Sequence, residues 1–117
     1  MTKTIMVVDD EADNRDTVRT LLEKNGYNVI TAVSGDDCLK KFPNQKVDLI
    51  LLDIMMPGKP VKDVIPKVSN CKIIFLSAVR MSDAEKEQLT KEKNIIGFIE
   101  KPFDLTALLK KVKSVLT

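Results

Sequence analysis

The stretch "DLILLD", residues 48–53, sets four consecutive apolar residues between two aspartates. A strand with one wet face alternates apolar and polar side chains, whereas a strand covered on both faces reads apolar throughout. Residues 5–8, "IMVV", and 73–76, "IIFL", have the same character. The full set of runs is Thr4 to Val8, Asn28 to Ala32, Asp48 to Leu52, Lys72 to Leu76 and Ile95 to Ile99. Three of the five therefore read as inner strands of a parallel sheet.

Helix signals fill the intervals. Glu11 to Asn25 places Val18, Leu21 and Leu22 on one face and stops at Asn25-Gly26, a good C-terminal cap. Ser34-Gly35-Asp36-Asp37 opens a short second helix that Pro43 closes. Pro60 suits the first turn of a third, which Pro66 must bend or split. Ser82-Asp83-Ala84-Glu85 is a capping box for a fourth, which offers only Ala84 and Leu89 to a core. A fifth, capped by Asp104, repeats Leu105, Leu108, Leu109, Val112, Val115 and Leu116 at three- and four-residue steps, with Lys110, Lys111 and Lys113 on its other side. Such strict alternation predicts an α/β fold: a five-stranded parallel sheet, doubly wound, with helices on both faces.

The bulk composition narrows the function. A chain of 117 residues is one domain by length, and 44% hydrophobic with 31% charged residues is ordinary globular composition. No apolar run approaches the roughly 18 to 20 residues that span a bilayer, and the N-terminus meets acids too early for a secretory segment. The expectation is a soluble cytoplasmic protein with no membrane partner. Cys38 and Cys71 lie far apart, without CxxC spacing and with no histidine in the chain, so they read as reduced thiols outside any zinc or redox motif. A net charge of +2 is too small to argue for direct nucleic-acid binding.

In open parallel sheets ligands bind beyond the carboxyl ends of the strands, where strand order reverses. Asp9 and Asp10 follow the first run, Asp53 the third, Ser77 the fourth, and Glu100 and Lys101 the fifth. Crowded carboxylates either raise one another's pKa or hold a cation. A set of oxygen donors without imidazole or thiolate suits Mg²⁺, with Mn²⁺ as the other choice, and magnesium in turn favours a phosphoryl partner. Asp53 stands alone facing the acid pair, so it is the candidate acceptor, with Lys101 to neutralise a phosphoryl oxygen and Ser77 to hydrogen-bond another. Taken singly the same residues have plainer readings. Asp9, Asp10 and Glu11 suit the positive end of a helix, Ser77 could end a strand, and Lys101 could be a surface charge before the Pro102 turn.

Residues 7–11 "VVDDE", 49–58 "LILLDIMMPG", 75–78 "FLSA" and 97–103 "GFIEKPF" resemble, in order and spacing, the receiver domain of two-component response regulators. The resemblance spans essentially the whole chain and is to the stand-alone, chemotaxis-regulator-like type. It implies the flavodoxin-like strand order 2-1-3-4-5. It makes Asp53 the phosphoacceptor, Asp9 and Asp10 the acids that organise Mg²⁺, and the backbone carbonyl of Met55 a further metal ligand. It gives Lys101 and Ser77 the phosphoryl contacts and makes Phe98 the aromatic switch beside Ser77. The partners it implies are a histidine kinase or phosphotransfer protein and a downstream protein bound through the fourth helix, fifth strand and fifth helix.

The resulting expectation is a single receiver domain over residues 1–117 with no output domain, a signalling phosphoacceptor that catalyses its own phosphotransfer and dephosphorylation. Two alternatives stand beside it: an aspartate-dependent Mg²⁺ phosphatase, and a receiver-like module that is never phosphorylated. The chain departs from the family in "KPVKDVIPKVSN", residues 59–70, where relatives carry a different loop and a full helix. It departs again at Met55 and Val79, apolar where some relatives orient water, which predicts a long-lived aspartyl phosphate.

Overall fold

The structure, a computed structural model, describes residues 2–44, 46–54, 61–68, 71–77, 82–84, 87, 91, 94–100 and 104–116. Its five strands are β1 (Thr4–Val8), β2 (Asn28–Ala32), β3 (Leu49–Asp53), β4 (Lys72–Ser77) and β5 (Ile95–Glu100). They form one all-parallel sheet in the order β2-β1-β3-β4-β5. The helices bounded within the described residues are α1 (Ala12–Lys24), α2 (Gly35–Lys41), the single turn α3 (Val61–Val64) and a last helix, Leu105–Leu116.

Strand alternation divides the inner strands between two cores. Ile5, Val7, Leu49, Leu51, Ile74 and Leu76 face α1 and the last helix, where they meet Val18, Leu22, Leu108 and Val112. Met6, Val8, Ile50, Leu52, Ile73 and Phe75 face the other way, toward Cys38, Val64, Ile65 and Val68. The uninterrupted apolar runs of β1, β3 and β4 therefore follow from helices on both faces.

Element ends differ from expectation in informative ways. β3 begins at Leu49 because Asp48 is a staple: its carboxylate accepts the Thr4 N–H at 2.8 Å and its own N–H donates to the Thr4 carbonyl at 2.8 Å. Asp53, Ser77 and Glu100 close their strands instead of following them, since the ladder continues through Asp53 opposite Leu76 and Ser77 opposite Glu100. Glu11 occupies the N-cap of α1, and Gly26 ends the helix with a φ of 88°, a left-handed conformation that suits glycine. Ser34 caps α2 by accepting the Asp37 N–H at 3.1 Å, and Asp104 caps the last helix by accepting from Thr106 and Ala107.

Pro66 does split the third helix: α3 stops at Val64 and a 3₁₀ turn runs Ile65–Val68. In the last helix Leu105 does not join the apolar stripe. It is 39% exposed, in the first turn, bordering an open groove with Thr17, Leu21 and Lys24 of α1. Most of the expected fourth helix lies outside the described residues; Ala84, offered to a core from sequence, is exposed.

Candidate functional site

Strand register brings the acids together. Val8 pairs with Leu52, so Asp9 and Asp53 stand on the next rung of adjacent strands, at the crevice where strand order reverses. Asp9 and Asp53 are almost wholly buried, at 1% and 2% exposure, while Asp10 reaches solvent. One carboxylate oxygen from each of the three lies within 4.8 Å of the others.

Asp9 is fixed at three atoms. Its N–H donates to the Ala32 carbonyl at 3.1 Å, its Oδ1 accepts the Glu11 N–H at 2.9 Å, and its own carbonyl accepts from Arg15 Nη1 at 2.7 Å. The Glu11 N–H is one of the donors a helix start leaves unpaired, so Asp9 satisfies the first turn of α1 while holding its carboxylate at the strand end. Glu11 itself is turned outward, accepting from the Asn14 side chain at 3.3 Å.

Ser77, 2% exposed, ends the neighbouring strand one rung beyond Asp53, and the Ile54 N–H bonds to the Leu76 carbonyl at 3.1 Å to keep β3 and β4 joined there. Phe98 lies half-buried on β5 opposite Phe75, two rungs before Ser77, its ring 5.3 Å from that of Phe75 at a tilt of 48°. Glu100 is exposed opposite Ser77. Met55 and Lys101, the other residues singled out in the sequence, lie outside the described residues, as does Val79.

The donor set is hard oxygen, and oxygens sharing one octahedral Mg²⁺ lie about 3 to 4 Å apart. A spread of 4.8 Å is within a small side-chain adjustment of that spacing, so the three carboxylates fit such an ion. Two like charges about 4 Å apart repel by ~1 kcal/mol in water and ~4 kcal/mol at an effective dielectric of 20. A divalent cation converts that repulsion into attraction. The thiols take no part. Cys38 and Cys71 are free and buried, and burial pushes them up to about 11 and about 12, so both stay protonated.

Arg15 was not legible as a site residue. Six positions beyond Asp9 on an amphipathic helix, an arginine reads as part of a solvated face; its proximity to three acids was the available signal.

A doubly wound parallel sheet in the order 2-1-3-4-5, with three acids at its switch point, defines a flavodoxin-like α/β domain. Within that class, the family model for the response regulator receiver domain matches residues 5–113, and the chain belongs to that family. It is 35% identical over 120 residues to the alkaline phosphatase synthesis transcriptional regulatory protein PhoP of Bacillus subtilis, a match covering 99% of this chain and 49% of the relative. It is 31% identical over 115 residues to response regulator RR06 of Streptococcus pneumoniae, covering 96% of this chain and 52% of the relative. The chain thus spans about half the length of the curated relatives it matches. Among solved structures it resembles response regulator TrrA of Thermotoga maritima in complex with Mg²⁺-BeF, with TM-score 0.79, 33% identity and coverage of 97% and 99% of the two chains. Vibrio cholerae chemotaxis protein CheY4 gives TM-score 0.87 at 28% identity, covering 98% and 99%. No described helix is long and apolar enough to cross a membrane.

Proposed function

We propose that residues 1–117 form one cytoplasmic receiver unit that accepts a phosphoryl group on Asp53 from the phosphohistidine of a histidine kinase or phosphotransfer protein. The observation that carries this reading is the meeting of Asp9, Asp10 and Asp53 within 4.8 Å at the switch point of the sheet. An Asp53 carboxylate oxygen forms the bond to phosphorus as the P–N bond breaks, and the leaving imidazole nitrogen keeps the electron pair and takes a proton from solvent. Asp9, Asp10 and Asp53, with the Met55 carbonyl, are the residues that would hold Mg²⁺. When bound, that ion supplies charge neutralisation for the phosphoryl oxygens. Lys101 neutralises a second oxygen and Ser77 donates a hydrogen bond to a third. The likeness to response regulator TrrA in complex with Mg²⁺-BeF supports Mg²⁺ as the ion.

Phosphorylation adds about two negative charges at a buried strand end. Ser77 is drawn toward them, Phe98 packs more deeply beside Phe75, and the segment after β4 shifts with β5 to present a face to a downstream protein. Met55 and Val79 offer no polar group to orient attacking water, so the aspartyl phosphate is long-lived.

The test is to incubate the protein with acetyl phosphate and Mg²⁺ and weigh it intact. The reading requires a gain of one phosphoryl group that is absent in Asp53→Asn and absent with EDTA. Release of many equivalents of phosphate with no adduct favours the phosphatase alternative, and an inert protein favours the unphosphorylated module.

A further inference from the structure

We infer that Arg15 is a positioning residue for the acidic site: its guanidinium, bonded to the Asp9 carbonyl, holds the turn after β1 in the form that binds a divalent cation. This inference rests on the metal reading above and concerns a residue outside the ligand set. Arg15 lies early in α1, where its own N–H donates to the Glu11 carbonyl at 3.1 Å. Its side chain folds back past the start of the helix, and Nη1 reaches the Asp9 carbonyl at 2.7 Å in a half-buried contact. A bond this short from a charged donor is roughly twice as strong as a neutral one.

The bonded atom is what gives the contact its consequence. The Asp9 carbonyl belongs to the rigid peptide plane that joins Asp9 to Asp10. The N–H and second Cα of that plane belong to Asp10, so fixing the direction of the carbonyl fixes where the Asp10 Cα sits and bears on how its carboxylate approaches Asp9 and Asp53. Asp9 is already anchored through its N–H to Ala32 and through Oδ1 to Glu11. Exposed Asp10 is the member of the trio whose aim depends on that plane.

Arg15 also carries a positive charge near the site, and charge alone acts in the opposite direction. As a point charge it repels Mg²⁺, so its removal would tighten binding; as an anchor it organises the acids, so its removal loosens binding. The two roles predict opposite signs.

Isothermal titration of the metal-free full chain with MgCl₂ separates them, using Arg15→Met and Arg15→Lys. Loss of a partner behind a metal ligand weakens affinity by about tenfold, so Arg15→Met is expected to raise the Mg²⁺ dissociation constant by that order, with Arg15→Lys recovering part of the loss. Amide hydrogen exchange in EDTA gives a readout independent of metal: the Asp9 and Glu11 amides should exchange faster in Arg15→Met while Val7 and Leu51 stay protected. Unchanged or tighter Mg²⁺ binding in Arg15→Met overturns the inference and leaves the metal reading intact. Binding as weak in Arg15→Lys as in Arg15→Met, with exchange accelerated throughout the sheet, also overturns it, because the effect is then general destabilisation. An unaltered protein that binds no Mg²⁺ overturns both.

Discussion

Asp10 is the exposed member of an acid trio whose other two members are buried at 1% and 2% exposure. A ligand that binds only the folded protein stabilises it by RT ln(1 + [L]/Kd), about 1.4 kcal/mol at ten times Kd. Mg²⁺ should therefore raise the melting temperature of the unaltered protein and do so far less for Asp10→Asn, a difference that calorimetry with and without EDTA measures directly. Leu22, fully buried between α1 and the sheet, tests the packing instead. Leu22→Ala should cost about 2 to 5 kcal/mol in urea unfolding, since the surrounding side chains collapse only partly into the space left. Asp9, Asp53 and Ser77 were legible in the sequence because each ends an apolar run, and a polar residue at that place is conspicuous. Arg15 was not, because its partner is a backbone carbonyl that no pattern of side chains reveals.

The edge strand β2 is secured by α2 through a device equally invisible in the sequence. Asp37 accepts the Val33 N–H at 3.0 Å and pairs with Lys41 at 3.2 Å, while Lys41 Nζ donates to the Thr31 carbonyl at 2.6 Å. Burial lifts the Asp37 carboxyl, but the Val33 N–H and the Lys41 ammonium outweigh it and hold the group below its ordinary 3.8. A lowered folded value means that the stabilisation is fully present above 3.8 and fades as pH falls through the folded value. Urea midpoints of the unaltered protein and Asp37→Asn should accordingly differ by a constant amount near neutrality and converge in stronger acid. The helix capped by Asp104 and the split at Pro66 were readable because caps and prolines act locally. The irregularity in β5 was not: the register moves from Ile73 opposite Ile95 to Ile74 opposite Gly97, leaving Ile96 as an extra residue. Among the described residues, a Cβ on Gly97 would meet the flexible end of Lys111, at 3.1 Å from Cε. Gly97→Ala should thus stabilise the protein by about 0.5 kcal/mol, as Lys111 swings aside and the unfolded chain loses freedom. A loss of more than that in urea unfolding would show that Lys111 is held in place.

For the molecule as a whole, two cores cover the two faces of a single sheet, and the acids converge at its switch point. The doubly wound class followed from apolar runs alternating with helix signals, because a strand buried on both faces has no polar positions to alternate and needs helices on each side. The strand order did not follow from periodicity. It came from the resemblance, since nothing local in a strand specifies which neighbour it takes, and the parallel register then places Asp9 beside Asp53. The convergence of the three carboxylates is therefore a property of topology more than of any one segment. Paramagnetic broadening by substoichiometric Mn²⁺ in an amide correlation spectrum tests this most directly. The account predicts that the amides of Asp9, Asp10, Asp53 and Ile54 broaden first, from two separate segments together, and that excess Mg²⁺ restores them. Broadening confined to one segment, centred elsewhere, or unaffected by Mg²⁺ would contradict it.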